Sequence, residues 1–84
     1  MIINDTSEAL PQGTTIYFTV SGIAGTHIGI ICGIANTGIP VIGRGYIVGV
    51  IDKDYWVDLD GVPIDMEYSH LVIFENQIEV YHIP

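Results

Sequence analysis

Residues 45–64, GYIVGVIDKDYWVDLDGVPI, restrict the fold of this chain more than any other stretch, because β-branched runs alternate with polar breaks at intervals too short for helices. Residues 46–51 form one apolar run, 52–54 a break and 55–59 a second run. Asp60-Gly61 then turns the chain into residues 62–64. The expectation is a three-strand meander. Asp-Gly between alternating apolar residues is the signature of a two-residue type I′ hairpin, which needs positive φ at both central positions. That register pairs Leu59 with Val62 and Val57 with Ile64 on one face, and sets Trp56, Asp58, Pro63 and Asp65 on the other.

The aliphatic residues agree with sheet. Sixteen Ile and eight Val stand against three Leu and three Ala, and β-branched side chains suit a pleated surface better than a helix. Eighty-four residues make one domain, and a chain of that size buries roughly 60–65% of its unfolded surface, enough for one thin core. The formal net charge of −8 leaves Arg44 and Lys53 as the only fixed cations. Nucleic acid and anionic membranes are therefore excluded as expected partners, since both rely on Lys and Arg to neutralise phosphate. The single cysteine, Cys32, forms no internal disulfide, and no Cys and His spacing signals zinc.

The opening MIINDTSEALPQ lacks a basic stretch followed by an apolar core, so the expectation is a cytoplasmic protein without a signal peptide. Residues 23–42 are apolar enough to suggest a membrane span. Their glycines, Pro40, His27 and period-two alternation favour a buried strand pair instead.

Taken in order, residues 1–13 read as a lead-in segment, with residues 1–3 either a short edge strand or an ordered tail. Residues 14–21 alternate with Ile16, Phe18 and Val20 inward. In residues 27–35, Ile28, Ile30, Cys32 and Ile34 are assigned to the core face. Gly29, Ile31 and Gly33 then form a flat strip on the other, suited to a barrel bend or to contact with another subunit. Asn36-Thr37-Gly38 reads as a turn, and residues 43–45 as a flexible corner. Residues 69–74 and 78–83 are further strands about a tight turn at Glu75-Asn76-Gln77. The expected core is Ile16, Phe18, Val20, Ile28, Ile30, Ile34, Val57, Leu59, Val62 and Ile64.

The strand GYIVGVID, the polar turn Lys53-Asp54, the aromatic pair Tyr55-Trp56 and the following Asp60-Gly61 together resemble the central hairpin of SH3-like barrels, over about a fifth of the chain. The resemblance implies an all-β, SH3-like small barrel of about five to seven short antiparallel strands, with Trp56 as a contact residue. The acidic motif that opens SH3 domains is absent, and Pro63 and Tyr68 do not match that family's closing spacing. The Gly- and Ile-rich middle also resembles small-barrel proteins of viral or environmental origin.

Six of the ten carboxylates fall within residues 52–67. Asp58, Asp60, Gly61 and Glu67 fit four places of a calcium-binding EF-hand loop, yet Trp56 would occupy its first ligand position and Pro63 lies inside it. These three acids are weak metal candidates, and no cofactor is implied. The same cluster beside Trp56 and Tyr55 suggests docking of a basic protein or peptide, with Trp56, Asp58, Asp65 and Tyr55 as the binding set. Cys32 and His27 face opposite sides of one strand, and His70 and His82 lie on others, so no catalytic constellation is evident. The leading expectation is a non-catalytic structural or interaction module that self-associates through Gly29, Ile31 and Gly33. Its reason is an apolar surplus too large for one thin core, with Ile31, Ile47 or Trp56 left outside. Docking of a basic partner comes second, and a small metal protein or enzyme third.

Overall fold

The computed structural model describes residues 9–39 and 43–84, and the side chains of 36–39 and 43 are outside that description. The described chain is all-β: β1 (Thr15–Phe18), β2 (His27–Ile39), β3 (Gly43–Val50), β4 (His70–Phe74) and β5 (Ile78–His82) form one antiparallel sheet in the order β4-β3-β2-β1-β5. Among the described residues the helical elements are two single 3₁₀ turns, Lys53–Tyr55 and Glu75–Gln77. The expected edge strand at residues 1–3 and the tip of the β2–β3 hairpin, Pro40 included, lie outside the described residues. Among the described residues no helix is long and apolar enough to cross a membrane.

The strand order forces curvature. β4 and β5 occupy opposite edges, which in a flat sheet stand four strand spacings, roughly 19 Å, apart. Only Glu75–Gln77 links them, and a 3₁₀ turn advances about 2 Å per residue. The sheet therefore coils until its edges meet at that corner, although no ladder pairs β4 with β5 and the sheet is not closed. Gln77 fastens the corner from both sides. Its Oε1 accepts from the Phe74 N–H at 2.8 Å, its Nε2 donates to the Thr19 carbonyl at 3.1 Å, and its own carbonyl accepts from the Thr19 N–H at 3.0 Å. Arg44 and Glu75 add an ion pair at 3.6 Å beside it.

The core lies on the inner face of this coil: Ile16, Phe18, Ile31, Tyr46, Val48, Val50, Trp56 and Ile73. Tyr46 is fully buried and its hydroxyl accepts from the Leu10 N–H at 3.0 Å, which draws residues 9–14 across the inner face. Ile16 and Phe18 are inward as expected, with Val20 and Ile64 partly buried against the core.

The expected faces of β2 are reversed. Cross-strand partners share a face, and β1 pairs Ile16 with Gly29 and Phe18 with His27. The two large β1 side chains thus draw the odd-numbered residues of β2 inward. Gly29 is buried and Ile31 is 1% exposed, while Ile30 and Cys32 face out. Gly29 is a requirement of close approach: a Cβ there would collide with Val48 and lie 2.9 Å from the Gly49 carbonyl oxygen and 3.2 Å from the Phe18 ring. A bulge between Ile31 and Gly33 then resets the phase, so that Ile34 pairs with inward Tyr46 but lies beyond the core and stays largely exposed. β2 also continues through the expected turn at Asn36-Thr37-Gly38 to Ile39, which pairs with Gly43, and the expected flexible corner at 43–45 is the start of β3.

The meander is corrected as well. Residues 55–59 make no strand: the chain passes from the 3₁₀ turn into isolated bridges, Ile23 with Asp58 and Val57 with Pro63. Gly61 has φ +83°, whereas Asp60 is not among the positive-φ residues, so a type I′ turn is ruled out. The loop instead has three residues, closed by Asp58 N–H to the Val62 carbonyl at 2.9 Å and Gly61 N–H to the Asp58 carbonyl at 3.0 Å. This shifts the register by one and exchanges the faces. Trp56 now pairs with Ile64, through the Ile64 N–H to Trp56 carbonyl bond at 2.9 Å, and is 2% exposed. Leu59 and Val62, expected in the core, are exposed, Leu59 by 74%.

Candidate functional site

Three groups of side chains stand out once the faces are known. The first is internal. Asp52, just after β3, accepts the Trp56 indole N–H at 3.0 Å and the Ile28 N–H at 3.3 Å on Oδ1, and its Oδ2 lies 3.4 Å from His27 Nδ1. The His27 and Trp56 rings pack at 4.2 Å between centroids with a tilt of 40°, and Phe18 closes the group at 5.8 and 6.2 Å. His27 Nε2 is buried without a hydrogen-bond partner. The arrangement anchors the 51–69 loop against the start of β2. Its sequence signal was the four-residue spacing of Asp52 and Trp56 across a one-turn 3₁₀ segment, which brings an indole N–H back over the carboxylate.

The second is the acidic loop. Tyr55 is 83% exposed, Asp54 next to it and Asp65 further along the loop are exposed too, whereas the Trp56 ring is turned into the core. Of the expected binding set, the structure leaves Tyr55 and Asp65 facing solvent and removes Trp56 from the surface. Asp58 serves the turn: its Oδ1 accepts from the Asp60 N–H at 2.8 Å and the Val62 N–H at 2.9 Å. Asp58, Asp60 and Glu67 are not brought together as ligands, and among the described residues no group of three or more His, Cys, Asp or Glu is placed to hold a metal ion.

The third is the outer face of the sheet. Pairing sets Ile47 opposite Val72 and Gly33, Gly49 opposite Ile30 and His70, and Tyr17 opposite Ile28 and Val80. Tyr17, Ile30, Ile47, Val72 and Val80 are all exposed there. None of the described residues that pair outward is Asp, Glu, Lys or Arg, although the exposed Glu79 stands at the β5 bulge beside Val80, its Oε1 accepting from Thr26 Oγ1 at 3.2 Å. Of the expected association strip, Gly29 and Ile31 lie inside and Gly33 alone lies on this face, with open space above it. Cys32, expected in the core, is exposed on the same face, near His70 and across Gly49 from it.

Compared with known protein families, with curated proteins and with solved structures, the chain matches none.

Proposed function

We propose that this chain is a non-catalytic module that self-associates through the outer face of its sheet. The observation that carries the reading is the segregation of charge from apolar surface. Six carboxylates are gathered in residues 52–67, while Tyr17, Ile30, Ile47, Val72 and Val80 are exposed on the outer face, where the described residues that pair outward carry no fixed charge and Glu79 stands at the β5 bulge. Contiguous apolar surface of this kind is uncommon on a domain that remains alone in water. A second copy fits it better than a basic partner, because none of the described residues that pair outward there is a carboxylate for Lys or Arg to meet, and two copies of net charge −8 approach most easily through their least charged sides.

The finer fold reading belongs here too. A coiled five-stranded sheet whose last two strands flank a 3₁₀ turn suits a small SH3-like barrel with one open seam. A cytoplasmic setting suits the exposed thiol of Cys32, which persists where thiols are kept reduced. Docking of a basic peptide retains Tyr55 and Asp65 but has lost the Trp56 ring as its anchor.

Light scattering across a concentration range, at low and high salt, tests the proposal. The expected result is an oligomer that survives salt and becomes a folded monomer on Ile30→Lys, with the melting transition retained. A wild-type chain that stays monomeric at every concentration and salt overturns it.

A further inference from the structure

We propose that Cys32 and His70 are one half of a tetrahedral zinc-type site that a second copy of the chain completes. The inference takes its partner from the self-association proposed above, and three observations of its own carry the chemistry.

The first is placement. A Cβ on Gly49 would stand 3.5 Å from Cys32 Sγ and 3.6 Å from His70 Nε2. A thiol from β2 and an imidazole from β4 therefore lean over the bare backbone of β3, with no side chain between them. Cys32 is exposed and its thiol donates only a weak bond, 3.6 Å, to the Ile30 carbonyl. A zinc ion bound between them would need nitrogen and sulfur at about 2.0–2.3 Å, so both side chains turn toward a common point above Gly49 on binding.

The second is orientation. Ser69 Oγ lies 3.0 Å from His70 Nδ1. With Nδ1–H donating to that hydroxyl, Nε2 carries the lone pair, and Nε2 is the nitrogen on the Gly49 side. Metal-binding histidines are held in this way, one ring nitrogen fixed by a neighbour and the other left for the metal.

The third is completeness. Zinc in a structural site takes four ligands, and one chain supplies two. A two-fold axis passing beside Gly49 would set each pair opposite its counterpart, giving two sulfurs and two nitrogens. Gly49 lets the two sheets approach closely there. Binding releases the two thiol protons to solvent, and the two thiolates cancel the charge of the cation. The resulting neutral centre suits a surrounding of Ile30, Ile47 and Val72, where a net charge would be costly to bury.

The test uses the full chain, reduced and freed of metal with a chelator, then titrated with Zn²⁺ and read by native mass spectrometry. Co²⁺ in parallel reports thiolate ligation through its charge-transfer absorption. The expected result is one metal per two chains, with binding and absorption lost in Cys32→Ser and in His70→Ala while both variants keep the wild-type melting transition. Ser69→Ala should weaken metal affinity by roughly 10- to 100-fold without changing the stoichiometry, as loss of a positioning partner does. An oligomer that forms without metal and binds neither ion, or binds equally well as Cys32→Ser, overturns the metal site and leaves self-association standing. A chain that is monomeric with and without metal overturns both. One metal per monomer overturns the shared site.

Discussion

The two faces of β2 differ less in composition than in what covers them. Ile31 and Gly29 face inward against Phe18 and Val48, and Ile30 and Cys32 face outward one residue away, equally apolar and uncovered. Hydrophobicity alone does not separate them. What separates them is the neighbour: Ile16 and Phe18 on β1 choose the inner face, and the acidic loop supplies Trp56 and Ile64 to cover it.

That comparison is tested most severely by placing the same substitution on each side. Ile31→Lys buries an unpaired charge and is expected to cost more than about 4 kcal/mol, a large share of the about 5–15 kcal/mol that stabilises a typical domain. Ile30→Lys is expected to leave thermal melting nearly unchanged and to act on association instead. Calorimetric melts of the two variants would reverse in rank if Ile30 were the core residue. Trp56→Ala comes next, at about 3–5 kcal/mol by chemical denaturation, because it empties the largest buried side-chain volume and removes the indole donor to Asp52. A surface role for Trp56 would instead give a cost below about 1 kcal/mol.

Glycines sharpen the contrast at a smaller scale. Gly29→Ala is expected to destabilise by about 1–3 kcal/mol, since the added methyl meets the Val48 side chain and the Gly49 backbone. Gly33→Ala, with nothing within 4 Å of its Cβ, should be neutral or stabilising by about 0.5 kcal/mol, and any loss should appear in oligomer mass. The smallest effect is expected at Leu59→Ala, within about 0.5 kcal/mol, because the three-residue loop holds that side chain in solvent. A loss of 2 kcal/mol or more, on the scale of emptying a core site, would restore the two-residue turn and its register.

Much of the candidate surface was legible as chemistry but not as place. The excess of Ile over what one thin core needs was visible in the sequence, and so was the need for some of it to lie outside. Ile47 is indeed on the open face. Ile31 and Trp56 are not, because each position hung on a register that local pattern does not carry. The proximity of Cys32 and His70 was invisible for a related reason: they lie on strands that do not pair with each other, and only Gly49 on the strand between lets them approach.

By itself the sequence determined the class of fold and most of the strands, because β-branched runs broken by Gly, Asp and Asn specify extended chain through interactions of near neighbours. It also determined the sheet's acidic loop and the inward alternation of Ile16 and Phe18. Tertiary structure decided which side of β2 is buried, which way Trp56 points and where the exposed apolar face lies. Strand pairing has a period of two, so one residue of slip, at the Ile31–Gly33 bulge or in the loop before Gly61, exchanges inside for outside without changing a single local preference.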